Sequence, residues 1–102
     1  MKKDNFYITT PIYYPSGSPH MGHAYSSILT DVFARFNRNN NKNVFFLTGT
    51  DEHGLKIQRA AEKDNLDPLS YCNKISQVFN DLNKKLNLSN DDFIRTTEKR
   101  HL

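Results

Sequence analysis

Tryptophan is absent from these 102 residues, cysteine occurs once, and glycine and proline occur only four times each. A lone thiol, Cys72, cannot close an internal disulfide and has no second thiol with which to build a cysteine metal site, which suits a reducing compartment. No stretch approaches the roughly 18 consecutive apolar residues of a membrane span. Met1-Lys2-Lys3 runs into Asp4 and Asn5 rather than into an apolar secretory core, so a cytoplasmic location is expected. A strong excess of one charge sign is missing too. Fourteen basic and eleven acidic residues leave a net charge of +3. The basic residues are scattered, so charge alone does not single out nucleic acid as a partner.

What is present suffices for folding. Hydrophobic residues make up 36% of the chain and mean hydropathy is -0.75, but an aromatic share of 12% is too rich for a disordered chain. The length allows one domain with a small core.

Asn5 to Pro11 is rich in aromatic and β-branched residues and reads as a first strand closed by proline. Ile12 to Pro19 has the prolines, glycine and serines of a loop. From Gly22 to Asn37, Ala24, Ile28, Val32 and Phe36 recur every fourth position with Leu29 and Phe33 beside them, which predicts an amphipathic helix. The asparagine-rich stretch Asn39 to Asn43 ends it, with no further role legible. Val44 to Thr50 reads as a strand covered on both faces, and Leu55 to Asn65 as a second helix. Asp67 caps a third helix with Pro68 in its first turn, and Leu69, Cys72, Ile75, Phe79, Leu82 and Leu86 form its core stripe. Phe93 to Thr96 reads as a third strand, after which Thr96 or Thr97 caps a further helix starting near Glu98. This alternation predicts an α/β fold with a parallel sheet, in which ligands bind beyond the carboxyl ends of the strands.

Two segments at those ends carry chemistry. Pro19-His20-Met21-Gly22-His23 starts the first helix, where unpaired N–H groups and the positive end of the helix dipole suit phosphate. His20 and His23 fall on one side of the first turn, and Gly22 allows close approach to the backbone. The plainer reading is that His20 caps a loop and His23 is a partly buried helix residue. Thr48-Gly49-Thr50-Asp51-Glu52-His53-Gly54 follows the second strand and offers acids for a cation such as a substrate ammonium, with Asp51 the candidate. Its plainer reading is a cap for the helix at Leu55.

PHMGH resembles the HIGH signature of class I aminoacyl-tRNA synthetases. GTDEHGLKIQ and YITTPIYYPSGSPHMGHAY resemble segments of the methionyl-tRNA synthetase family within that class. The resemblance covers essentially the whole chain and implies a Rossmann-like catalytic domain, βαβ-αα-β in order, that activates L-methionine with ATP and transfers it to tRNA(Met). Carried over, His20 and His23 contact ATP and stabilise the transition state, Gly22 lies beneath the adenine, Asp51 binds the methionine ammonium, and Ile12 and Tyr14 line the amino-acid site. Met21 stands where the signature usually has isoleucine or leucine, at similar volume. Magnesium would come with ATP, and zinc is expected only in a connective insert outside this chain. No KMSKS segment is present, so residues 1–102 read as an N-terminal piece of the catalytic domain, incomplete for catalysis on its own.

Three other readings stay open, one of them a non-catalytic piece that only binds partners, for which the sequence offers no positive feature. A small nucleotidylyltransferase shares the HxGH arrangement, and a metal module could gather His20, His23, His53 and Asp51. Lys84 and Lys85 read as a solvated helix end, and Arg95, Lys99 and Arg100 as ordinary surface charges.

Overall fold

The computed structural model describes residues 3–101. β1 (Asn5–Thr9) and β2 (Asn43–Thr50) pair in parallel, with Phe6 opposite Val44 and Ile8 opposite Phe46. β2 also pairs in parallel with β3 (Asp92–Arg95), giving a three-stranded sheet in the order β1-β2-β3. The Thr10 N–H still reaches the Leu47 carbonyl at 3.2 Å, but Pro11 has no N–H to continue the ladder. Two residues on, Tyr13 rejoins the sheet as an isolated bridge to Thr50.

β1 leads through α1 (Met21–Asn39) to β2, and β2 leads through α2 (Leu55–Lys63) and α3 (Pro68–Lys85) to β3. Asp67 caps α3 as expected, its Oδ2 accepting from the Ser70 N–H at 3.4 Å. All three helices end in the same way. Asn41, Asn65 and Asn87, each two residues beyond a last helical residue, take left-handed φ values of 62°, 56° and 55°. Asparagine tolerates that conformation better than other side-chain-bearing residues do. The asparagine richness therefore includes a stop signal repeated at every helix.

Both crossovers cover one face of the sheet, since the His23 ring on α1 lies 5.1 Å from the Phe79 ring on α3. On that face Phe46 is fully buried. The main apolar cluster is Ile57, Ala61, Tyr71, Cys72, Ile75 and Phe79, with Tyr13, Ala60 and Phe93 packed against it. Of the expected α3 stripe, Cys72, Ile75 and Phe79 are in this core, whereas Leu69 is exposed.

Three expectations are corrected. β2 is covered on one face only among the described residues. Tyr7 and Phe45, 63% and 44% exposed, stack with ring centroids 5.9 Å apart on the open face. The apolar stripe of α1 is also reversed in its burial: Ile28, Leu29, Val32, Phe33 and Phe36 are exposed, and Ser27, Thr30, Asp31, Ala34 and Asn37 face inward. Small and hydrogen-bonding side chains let α1 lie close to the sheet. Asp31 Oδ1 accepts from the Ser89 N–H at 2.8 Å and Arg38 donates to Asp91, which ties α1 to the loop before β3. Finally, the helix expected near Glu98 is only a short 3-10 turn, Lys99–His101.

Gly49 is needed because β3 runs so close to β2. A Cβ at this position would lie 1.9 Å from the Ile94 carbonyl oxygen, a hard overlap with backbone.

Candidate functional site

The loop after β1 and the start of α1 enclose a cleft of about 430 Å³, lined by Ile12, Tyr13, Tyr14, Ser16, Gly17, Ser18, His20, His23 and Lys56. Four of the expected site residues, Ile12, Tyr14, His20 and His23, are therefore together. Gly22 and Asp51 are outside the lining, although both are tied to residues that form it.

His20 is the N-cap of α1: its own ring caps the Gly22 backbone, and the His23 ring caps the His20 backbone. The Gly22 N–H donates to His20 Nδ1 at 3.0 Å, and the His20 N–H donates to His23 Nδ1 at 3.0 Å. This is the reciprocal geometry that a serine and a glutamate usually make at a helix start. A backbone N–H can only donate, so each Nδ1 is an unprotonated acceptor and each ring carries its proton on Nε2. The rings stand 3.9 Å apart. Burial, and secondarily the neighbouring His20, lowers the His23 pKa from its ordinary value and so favours the neutral imidazole. The capping and ligand-facing readings of the pair are thus compatible, because capping occupies Nδ1 and leaves the Nε2–H edge as a donor. Gly22 has a local role as well: a Cβ there would lie 2.9 Å from Cε1 of His20, in the space the capping ring needs.

Tyr13 joins this helix start to the corner after β2, a link that sequence reading missed. Its ring meets that of His23 edge-on at 4.8 Å, and its hydroxyl lies 3.1 Å from Ser27 Oγ. Its backbone pairs with the second corner: the Asp51 N–H donates to the Tyr13 carbonyl at 2.8 Å, and the Tyr13 N–H donates to the Gly49 carbonyl at 3.1 Å. The sequence signal was the Tyr-Tyr pair at 13 and 14 inside an otherwise small, polar loop.

The neighbouring acids of Asp51-Glu52 are used differently. Asp51 is half-buried, and its Oδ1 receives only a long contact of 3.5 Å from the His53 N–H among the described residues. The Glu52 side chain is wholly buried. Arg95 donates to both of its oxygens, from Nε at 2.8 Å and from an Nη at 2.9 Å. Thr50 and Thr97 hydroxyls donate at 2.7 Å each, and Ser76 adds a further short bond. Burial pushes the Glu52 pKa up, but the bonds from Arg95, Ser76, Thr97 and Thr50 outweigh it and hold the carboxyl below its ordinary value. The same surroundings push the Cys72 thiol up to about 11, chiefly by burial and next by the Glu52 charge, so it is an inert core contact.

Arg95 is therefore corrected from surface charge to partner of a buried carboxylate, held by Asn73 as well at 2.6 Å. Thr96 and Thr97 start no helix because Glu52 engages them: the Glu52 N–H donates to Thr96 Oγ1 at 2.7 Å, and Thr97 binds the carboxylate. His53 is drawn to the same place, its Nε2 lying 3.3 Å from the Thr96 carbonyl. Asp51 does not cap α2; the N-cap is Gly54, at φ 122°. The described residues bring together no group of three histidine, cysteine or acidic ligands, so the metal-module reading has no geometric support. No described helix is long and apolar enough to cross a membrane.

A Rossmann-like sheet whose first helix is capped by a HxGH histidine pair fits both a class I synthetase and a small nucleotidylyltransferase, and comparison with known proteins decides for the synthetase class. Residues 6–102 match the family described as tRNA synthetases class I (M), and the chain belongs to it. It is 59% identical over 99 residues to methionine–tRNA ligase of Rickettsia typhi, and 54% identical over 100 residues to that of Bacillus subtilis. These alignments take in 97% and 98% of this chain but 20% and 15% of the two relatives. The crystal structure of Mycobacterium tuberculosis methionyl-tRNA synthetase bound by methionyl-adenylate superposes with a TM-score of 0.95 at 47% identity, over 96% of this chain and 19% of that one. The chain thus spans about a fifth or less of the length of the relatives it matches.

Proposed function

We propose that residues 1–102 form the N-terminal part of the catalytic domain of a methionine–tRNA ligase, which activates L-methionine with ATP and passes it to tRNA(Met). The observation that carries this reading is Tyr13, which couples the histidine-capped helix start to the Asp51 corner through one side chain and two backbone bonds.

In this reading a methionine carboxylate oxygen attacks the α-phosphorus of ATP, the bond to the bridging oxygen breaks, and pyrophosphate leaves with that electron pair. No covalent enzyme intermediate is required, so the protein contributes position and charge stabilisation. His20 and His23 donate from Nε2 to phosphate oxygens, reinforced by the N-terminal dipole of α1, at about 0.3 to 1 kcal/mol for the dipole alone. Gly22 lies beneath the adenine, Asp51 holds the methionine ammonium, and Ile12 and Tyr14 line the amino-acid site. Magnesium would accompany the triphosphate as part of the substrate and offset its charge. Transfer to a terminal ribose hydroxyl of the tRNA then releases AMP. The setting is the cytoplasm.

The test is exchange of labelled pyrophosphate into ATP. The complete polypeptide that carries this segment is expected to exchange only with methionine present, and the 102-residue chain alone is expected not to. Absence of methionine-dependent exchange in the complete polypeptide overturns the assignment. Robust exchange by the short chain overturns its incompleteness.

A further inference from the structure

Glu52 is a buried carboxylate beside the substrate corner that the reaction does not use. Its five bonds come from three elements and the segment after β3: Thr50 on β2, Ser76 on α3, Arg95 on β3, and Thr97 beyond it. Its backbone is held independently, the N–H by Thr96 Oγ1 and the carbonyl by a long contact of 3.8 Å from Cys72 Sγ. Immediately before it in the chain, Asp51 has its N–H fixed to Tyr13, while the Thr50 carbonyl accepts from the Thr96 N–H at 3.2 Å. The Asp51 backbone is therefore clamped from the β1 side by Tyr13 and from the β3 side through Glu52. Its carboxylate is left without a side-chain partner among the described residues.

We propose that Glu52, braced by Arg95, is a positioning residue that fixes the Asp51 carboxylate where it meets the substrate ammonium, so that the pair governs selectivity for the amino group. This inference rests on the function proposed above. A buried charge with all its acceptor sites filled is costly to assemble and has one favourable geometry. A backbone pinned to it loses the freedom that would blur the direction of the next carboxylate. Glu52 touches no substrate in this arrangement and acts only through Asp51.

The experiment compares methionine with its desamino analogue, 4-(methylthio)butanoate, as competing ligands in pyrophosphate exchange by the complete polypeptide. Glu52→Gln keeps the volume but places an amide against Arg95. It is expected to raise the methionine KM about tenfold, to leave the ATP KM within about twofold, and to narrow the preference for methionine over the analogue by the same tenfold. Thr97→Val removes one donor and is expected to shift the same preference by about two- to threefold; it replaces Glu52→Gln as the deciding variant should the latter not fold. An unchanged preference with a lowered unfolding temperature makes the cluster a strut only and overturns the proposal. Wild-type polypeptide without methionine-dependent exchange overturns the functional reading itself and this inference with it, so the two failures are told apart by the wild-type control.

Discussion

At the scale of single residues, His20 serves the fold through one ring nitrogen and, in the proposed function, the chemistry through the other. Its Nδ1 caps α1 and its Nε2 remains a donor at the cleft. The two roles separate by substitution. His20→Ala removes the cap and is expected to cost about 1 kcal/mol of stability, whereas His20→Asn restores a capping oxygen and most of that loss. Both remove the Nε2 donor, so both are expected to lower pyrophosphate exchange by about 10²-fold in the complete polypeptide. Urea unfolding checks the first expectation and exchange rates the second. Recovery of activity by the asparagine variant would mean that capping is the only role of His20. The histidines and Asp51 were legible as candidates from residue type and spacing. The roles of Glu52 and Arg95 were not, because they lie 43 positions apart and meet only when β3 pairs with β2.

At the scale of elements, strand and helix order was readable from periodicity and from proline and asparagine placement, with ends displaced by a residue or two. Helix orientation was not. The four-residue recurrence in α1 marks a real apolar face, but that face is exposed here, and a row of small and polar residues meets the sheet instead. Hydrophobic period reports that a helix has two unlike faces; which face is buried against a given neighbour also depends on how close the backbones approach. Ala34 is fully buried and Phe36 is 62% exposed. Ala34→Leu is therefore expected to destabilise the 102-residue chain by about 1 to 3 kcal/mol, and Phe36→Lys to change it by no more than about 0.5 kcal/mol. Denaturant midpoints of the two variants decide the matter, and the opposite ranking would refute the packing described for α1.

At the scale of the whole molecule, the Glu52 cluster joins β2, α3 and β3, so its protonation bears on the stability of the fold. The folded-state pKa lies below that of the unfolded chain, near 4.3 for an ordinary glutamate. Burial works against this lowering, and Arg95 with the hydroxyls of Ser76, Thr97 and Thr50 outweighs it. The unfolded chain therefore binds the proton more readily. The contribution is complete above the unfolded pKa and is lost as pH falls through the folded one. The urea midpoint is expected to fall from about pH 5 downward, and to fall less steeply in Glu52→Gln; equal slopes would show that this carboxylate does not govern acid sensitivity. Asp31 adds to the same acid limb. Its carboxyl is raised by burial but lowered overall by hydrogen bonds from Ser89, which lock α1 to the loop before β3, and by Arg35 one turn along the same helix.

The residue order by itself determined the alternation of strands and helices, the cap of α3 at Asp67, the asparagine-rich end of α1, and the two corners that are the candidates for ligand chemistry. These depend on contacts between near neighbours, which spacing encodes. Tertiary structure alone decided that Asp51 stays available while Glu52 is consumed, that Tyr13 connects the two corners, and that α1 turns its polar side to the sheet. Each of those depends on groups distant in sequence coming within hydrogen-bond or van der Waals range, and a linear pattern carries no record of that distance.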